Sequence, residues 1–401
     1  MISVTEAWEH IDACAQALPA ENVALDDALG RTLARSVCAY ADQPAFDRSA
    51  VDGFALAAGQ PERESYRLAG EILPGQPAPP APAHGEALRV CTGSALPAGV
   101  AVVMVEDAVT DQTTVRFTAT PDTSIVRRQG SSMRAGAALL GKGTSVGPGE
   151  IAVLASVGVH RPKVVRSARI VHLVTGSEIV PCSEQPAPGQ IRDTNGPLLR
   201  ALLAGPRCHI RQTLYADEAV DNALRVLDGI DFDLLLVSGG ASVGPHDNTP
   251  ALLQSLGFET VFHRVNVKPG KPLLFARSGN RLAFGIPGNP VSHFACAHLF
   301  IRRALARMAG RPPAELRAAA LADGAPLRPD ARECFWPARV STDETGRATT
   351  APLPWLDSGD IAALRGVDAL VRLPGNREPP STGATIHFLP LPTPAERALI
   401  Q

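Results

Sequence analysis

Hydrophobic and polar positions change rhythm four times along the chain. VTEAWEHIDACAQAL and DDALGRTLARSV carry apolar residues at three- and four-residue spacing, which predicts helices in the first forty residues. From Pro44 the pattern shortens. The runs VDGFAL, ALRVCTG, VAVVMVEDA and TVRF alternate with turn residues and predict a small β domain over 44–120. A helical pattern returns in GPGEIAVLASVG, with Pro148 at the first helical position, Glu150 in the first turn and Gly158 as the stop. Residues 1–43 and 121–166 then read as one discontinuous, elongated helical domain into which the β domain is inserted.

Residues 167–312 carry the clearest alternation. RIVHLVTG, HIRQTLYA, DLLLVSGG and LAFGIPG are continuous apolar runs. Each is followed by a helical pattern, in TNGPLLRALLAG, DEAVDNALRVLDGI, TPALLQSLG and PVSHFACAHLFIRRALARMAG. Strands apolar on both sides, spaced by helices, predict a doubly wound parallel α/β domain whose ligands bind beyond the carboxyl ends of the strands. Residues 313–401 are proline-dense and strand-like (FWPARVS, ATTAPL, DALVRLPG, ATIHFLPL) and predict a second small β domain. The fold class is multidomain α/β.

Composition narrows the function classes. The 401 residues hold 35 glycines and 36 prolines but only 4% aromatics, so the chain is rich in turns and its cores rest on aliphatic side chains. The stretch PGQPAPPAPAHG reads as an extended connection. A net charge of −2 argues against a general nucleic-acid binder. No apolar run approaches the roughly 18 residues of a membrane span. MISVTEAWEHID lacks the basic and apolar regions of an export signal, and the seven scattered cysteines read as free thiols. A cytoplasmic enzyme is expected.

The chemistry concentrates at the strand ends. In DLLLVSGGASVGPHD a buried strand runs into Ser238, Gly239 and Gly240, then Ser242, Gly244 and Asp247. Glycines let backbone N–H groups approach an anion, and the serine hydroxyls are expected to donate to phosphate oxygens. VTGSE places Thr175 and Glu178 after the first strand. IRDTNG adds Asp193 and Asn195, and FGIPGNP sets Pro287, Gly288, Asn289 and Pro290 in a stiff loop. In VKPGKPLLF, Lys268 and Lys271 flank a Pro-Gly turn, an arrangement that an oxyanion would relieve. The acids Glu178, Asp217 and Asp247 suit Mg²⁺ beside phosphate, whereas Asp193 and Asp217 also read as helix caps. Upstream, PAFDRSAVDGFAL crowds Asp47, Arg48, Ser49 and Asp52 into one loop, and CTGSALPAG brings Thr92. His293 and His298 read as packing or surface residues.

In this order the motifs resemble the molybdopterin molybdenumtransferase family (MoeA and the gephyrin E domain). FDRSAVDGFAL, RVCTGSALPAGVAVVMVED, VTGSEIV, GQIRDTN, SGGASVGPHD, VNVKPGKP and GIPGNPVS each match a family block. The resemblance implies four domains, a homodimer, and Mg²⁺-dependent insertion of molybdate into adenylyl-molybdopterin with release of AMP. It also implies contacts with molybdopterin adenylyltransferase and with molybdoenzyme targets. Carried over by position, the acidic and polar site residues fall on Asp52, Thr92, Glu178, Asp217 and Asp247. The basic ones fall on Arg264 and Lys268, the proline pair on Pro287 and Pro290, and a C-terminal serine on Ser358. Three departures stand out: Ser131 and Ser132 replace a usual acid, Ser177 replaces an aspartate, and Gly244-Pro245-His246 precede Asp247. Ser131 and Ser132 motivate a non-catalytic molybdopterin-binding scaffold as the first alternative. A molybdopterin adenylyltransferase, which shares the SGG-x-S-x-G unit, is the second.

Overall fold

A computed structural model describes residues 1–205, 207–217, 219–240 and 248–392. The chain forms two compact units. The larger comprises Met1–Arg35, Lys142–Ala152 and His160–Gln401, and the smaller Ser36–Gly141 with Val153–Val159.

At the centre of the larger unit is a six-stranded sheet. Its order is Cys208–Ala216, Ala168–Thr175, Leu234–Ser238, Arg281–Ile286, Leu274–Ser278, Glu259–His263. The first four strands are mutually parallel, as the strand–helix rhythm predicts. Leu274–Ser278 runs antiparallel to both of its neighbours, so the sheet is mixed. The cause is a tight hairpin. Ser278 pairs with Arg281 across Gly279-Asn280, and Gly279 takes the positive φ of +59° that two-residue hairpin turns require.

Alternate residues of each strand face opposite apolar layers. Ile170, Leu234, Leu236 and Phe284 pack with Leu199, Phe294 and Phe300. Val171, Leu173, Leu235 and Val237 pack with Ala223, Leu227 and Leu252. Two buried faces explain why these strands read as unbroken apolar runs. The N-terminal helix Val4–Cys14 begins with a capping box between Ser3 and Glu6 and buries Val4, Ala7 and Ile11 in the first layer. Trp8 Nε1 donates to Leu299 O at 2.9 Å, and the Asp12 carboxylate takes Arg303 at 2.8 and 2.7 Å.

The second N-terminal helix expected from DDALGRTLARSV does not form. Only Asp26–Ala28 makes a 3₁₀ turn. Gly30 follows with φ +72°, and Thr32 and Leu33 bridge to Ser145 and Val164. A left-handed glycine and two β bridges outweigh a marginal helical pattern. The Pro148–Ser156 helix is present, with Glu150 accepting from Gly147 N at 2.8 Å.

The C-terminal strands close on themselves. Glu333–Thr342, Ala348–Pro352, Arg317–Leu321, Thr385–Pro390 and Ala369–Leu373 follow one another, and the last pairs back with the first. Val267–Lys268 joins this barrel in parallel, Lys268 opposite Cys334. The KPGK turn is thereby tied to the barrel.

The smaller unit holds its own six-stranded sheet, ordered Val100–Met104, Gly53–Ala57, Glu86–Val90, Tyr66–Ile72, Thr114–Phe117, Ala108–Thr110. Tyr66–Ile72 and Glu86–Val90 are parallel neighbours. Parallel neighbours need a long crossover, and the proline-rich stretch supplies it. No helix among the described residues is long and apolar enough to cross a membrane.

Candidate functional site

Register brings the strand ends together. Thr175 pairs with Ala216, Val174 with Ser238, and Ser238 with Ile286. The turns after residues 175, 216, 238 and 286 are therefore neighbours on one sheet edge. Gly239 and Gly240 have φ of +94° and +56°. A Cβ on Gly239 would lie 2.6 Å from Thr175 O, so only glycine lets the two turns approach. Thr175 Oγ1 donates to Ser238 O at 3.2 Å, and Thr249 Oγ1 donates to Gly239 O at 3.1 Å. Thr175, Asp217, Gly240, Asn248 and Thr249 line a recess at this edge. Ser242, Gly244 and Asp247 lie outside the described residues.

The acids divide by what already holds them. Glu178 is exposed, its carboxylate folded back over Gly176. Asp217 is exposed and accepts from Ala219 N at 3.0 Å and Asn222 Nδ2 at 2.6 Å. Asp193 is 3% exposed. Its two oxygens take Gly196 N at 2.8 Å and the Tyr215 hydroxyl at 2.9 Å. That carboxylate secures the start of the Asn195–Leu203 helix and does not face a ligand, which corrects its expected substrate role.

Ser238 also differs from expectation. It is 2% exposed, and its hydroxyl points into the sheet, 2.5 Å from His172 Nε2 and 3.3 Å from His293 Nε2. It cannot reach a phosphate beyond the strand ends. His293 Nδ1 in turn lies 3.1 Å from Pro287 O. Burial, then the charges of His293 and Arg200, push the His172 imidazole down to about 3. Burial pushes His293 down to about 4, against the opposing pull of the Pro287 carbonyl and Asp193. Both rings are neutral at physiological pH.

The Pro287–Pro290 loop bridges two parts of the unit. Asn195 Nδ2 donates to Gly288 O at 2.7 Å, and Asn289 Nδ2 donates to Ser358 Oγ at 2.7 Å. Gly270, at φ +109°, sits so close to Cys296 that a Cβ would lie 2.6 Å from its Sγ. The KPGK turn is thus packed onto the helix that the Pro287–Pro290 loop begins.

At that turn Lys268 Nζ donates to Asp330 Oδ2 at 2.9 Å and lies 5.9 Å from the centre of the Trp355 ring. Asp330 Oδ1 accepts from Arg332 N at 3.0 Å and Nε at 3.1 Å. Burial works to raise the Asp330 carboxyl. The bonds from Lys268 and Arg332 outweigh it and hold the group well below the usual carboxylate range. Two cations thus share one anion, leaving a net positive locus. Lys271 is exposed on the same turn. Arg264, at φ +78°, is anchored through its backbone to Leu273 and Ile2.

In the smaller unit Asp52 Oδ1 accepts from Thr92 N at 2.7 Å and Thr92 Oγ1 at 3.2 Å. Asp47 holds Arg128 and Gln129 N, both at 2.7 Å. The exposed Ser131 and Ser132 follow in the next turn. Ser49, by contrast, is 1% exposed and donates to Val51 O at 2.6 Å. It is a turn-fixing residue, which corrects its expected substrate contact. Among the described residues no cluster of three or more His, Cys, Asp and Glu is disposed to hold a metal.

Three family models match the chain in succession. They are the MoeA N-terminal region (domain I and II) over residues 2–158, a probable molybdopterin binding domain over 172–307, and the MoeA C-terminal region (domain IV) over 318–391. The chain belongs to the MoeA family. A molybdopterin molybdenumtransferase of Staphylococcus aureus is 31% identical over 97% of this chain and 95% of its own length. Its counterpart in Synechococcus elongatus is 34% identical over 86% and 89%. The crystal structure of a molybdopterin biosynthesis MoeA protein from Pyrococcus horikoshii superposes with a TM-score of 0.80 at 25% identity, covering 97% of this chain and 99% of that one. The family and the multidomain fold expected from the motifs are those found.

Reading the MoeA motifs alone missed His172, Asp330, Arg332 and Trp355, and gave His293 no role beyond packing or surface. The two histidines lie inside apolar runs. Asp330 and Arg332 stand some sixty residues from Lys268, and only the barrel's register joins them.

Proposed function

We propose that this chain inserts molybdenum from molybdate into adenylyl-molybdopterin, with Mg²⁺-dependent release of AMP, in molybdenum cofactor biosynthesis. One observation carries the reading: the glycine turn, suited to phosphate, bonds through Gly239 N to Ile286 O at the foot of the Pro287–Pro290 loop, and that loop's Asn289 bonds Ser358, three residues from the Trp355 ring that Lys268, suited to an oxyanion, lies over. Backbone N–H groups of the glycine turn hold the pterin phosphate. Lys268 and Arg332 gather molybdate, with Lys271, Arg264 and Ser358 at the margin. The leaving adenylate requires no protein nucleophile.

Exposed carboxylates on adjacent strand ends are hard oxygen donors that fit Mg²⁺. Glu178 and Asp217, with Asp247, would hold the ion. When bound, it neutralises and polarises the phosphoanhydride. Asp52 and Thr92 present a further polar edge. The same reading carries a homodimer, a cytoplasmic setting, and hand-over contacts with molybdopterin adenylyltransferase and molybdoenzyme targets.

The test is incubation with adenylyl-molybdopterin, Mg²⁺ and molybdate, following AMP by chromatography. The expected result is stoichiometric AMP release that requires both ions. Tight pterin binding without AMP release would establish a scaffold, the reading that Ser131 and Ser132 favour.

A further inference from the structure

Two imidazoles with no part in the proposed chemistry lie directly beneath the site. His172 is in the Ala168–Thr175 strand and His293 in the Pro290–Cys296 helix, both with no exposed surface. Their Nε2 atoms converge on the single hydroxyl of Ser238.

The proton positions follow from the partners. Pro287 O can only accept, so His293 Nδ1 carries the hydrogen and its Nε2 offers a lone pair. The Ser238 hydroxyl donates to that lone pair. Ser238 Oγ then accepts from His172 Nε2–H. His172 Nδ1, buried without a partner, is left as a bare acceptor. That is the less costly outcome, because orphaned buried N–H groups are the rarer kind. All three hydrogen bonds run one way, from His172 through Ser238 and His293 to Pro287. The chain ties the strand, the Ser238-Gly239-Gly240 turn and the Pro287–Pro290 loop to one another.

We propose that His172–Ser238–His293 is a positioning relay that holds the glycine turn and the Pro287–Pro290 loop in one register for pterin-phosphate binding. The geometry favours a relay over apolar filling. Three polar atoms meet at one point beside a layer built of apolar side chains, Leu, Ile, Phe, Val and Ala foremost. The bonds end on the backbone carbonyl that opens the loop, one residue before the carbonyl held by Asn195. The choice of ligand rests on the proposed function; the relay itself does not.

The test uses the full chain and measures the dissociation constant for molybdopterin. The variants are Ser238→Ala, His172→Leu, His293→Leu and the double His172→Leu/His293→Leu. Ser238→Ala removes one oxygen and keeps the fold's volume, so it reports even where a leucine variant fails to fold. The expected result is a rise in Kd of about tenfold, ~1.4 kcal/mol, for each single variant, with the double no worse than the weaker-binding single. Groups that act as one network lose their effect together. In ¹⁵N-histidine-labelled wild type, His293 is expected as the Nδ1–H tautomer and His172 as the Nε2–H tautomer. Unchanged Kd in folded variants, losses that simply add, or the opposite tautomers would overturn the relay. Failure of the wild type to bind molybdopterin would instead refute the proposed function, and the tautomers would still judge the relay.

Discussion

Acidification should destabilise the larger unit well above the pH at which carboxylates protonate. His172 and His293 are pushed from 6.5 down to about 3 and about 4, chiefly by burial. In the unfolded chain both take up protons near pH 6.5, while in the folded chain neither does until about pH 4. Between those values the unfolded state binds more protons, so stability falls as pH falls; above pH 6.5 it is flat. Each group contributes up to ~1.4 kcal/mol per pH unit. Each group is already half protonated in the unfolded chain at pH 6.5, so from pH 6.5 to 5 the loss is about 1.6 kcal/mol per histidine and about 3 kcal/mol for both. Carboxylates held low, such as Asp233, begin to lose their contribution only below their ordinary value of 3.8, so the window belongs to the histidines. The assay is urea unfolding followed by tryptophan fluorescence. The chain has three tryptophans, Trp8, Trp336 and Trp355, and all fall in the unit that contains both histidines. The double His172→Leu/His293→Leu variant should lose the slope between pH 5 and 6.5. A wild type equally stable at pH 8 and 5, or a double variant with the same slope, would refute the reasoning.

Four further outcomes follow from particular contacts. Asp233, 6% exposed, clamps Arg166 at 2.7 and 2.6 Å and Arg169 at 3.1 and 3.0 Å. Asp233→Ala takes the carboxylate from the half-buried Arg166 guanidinium, leaves Arg169 with Asp231 alone, and should cost about 3 kcal/mol, read from the urea midpoint at pH 7. Gly239→Ala forces a Cβ against Thr175 O at a positive φ and should abolish AMP release while the remainder of the chain stays folded by circular dichroism; full activity would remove the close approach from the argument. Lys268→Ala leaves Arg332 alone on Asp330 and should raise the molybdate concentration for half-maximal AMP release by about tenfold, the scale of one charged contact. Glu178→Ala and Asp217→Ala should slow AMP release far more than they weaken pterin binding, and equal loss of both would reassign those carboxylates from metal to substrate.

Much of the fold was legible because its signals are local. Continuous apolar strands announce a sheet covered on both faces, and Pro148, Glu150 and Gly158 bracket a helix unaided. Where a local pattern was weak, tertiary pairing decided. DDALGRTL has helical spacing, yet Gly30 and the bridges from Thr32 and Leu33 turn it into β structure. The antiparallel edge of the central sheet hung on Gly279-Asn280, a two-residue signal inside an otherwise plain stretch. The cation locus was half visible: Lys268 announced itself beside a Pro-Gly turn, whereas Asp330 and Arg332 carry no motif. Their role depends on a parallel pairing between Val267–Lys268 and the barrel.

The reading of Ser238 as a phosphate donor shows where motif logic and strand geometry part. Side chains alternate along a strand, so Leu234, Leu236 and Ser238 share one face. Leu234 and Leu236 lie in the layer that includes Phe294 and Ile170. A hydroxyl two residues further on, still within the strand, must point into that layer and must find a partner there. On the adjacent strand Ile170 and His172 have the same parity and face the same layer. The first polar position free to address a ligand is therefore in the turn, beyond the last residue of the strand. In a doubly covered sheet, a serine that ends the strand belongs to the core, and a histidine of matching parity on the neighbouring strand is the partner to seek.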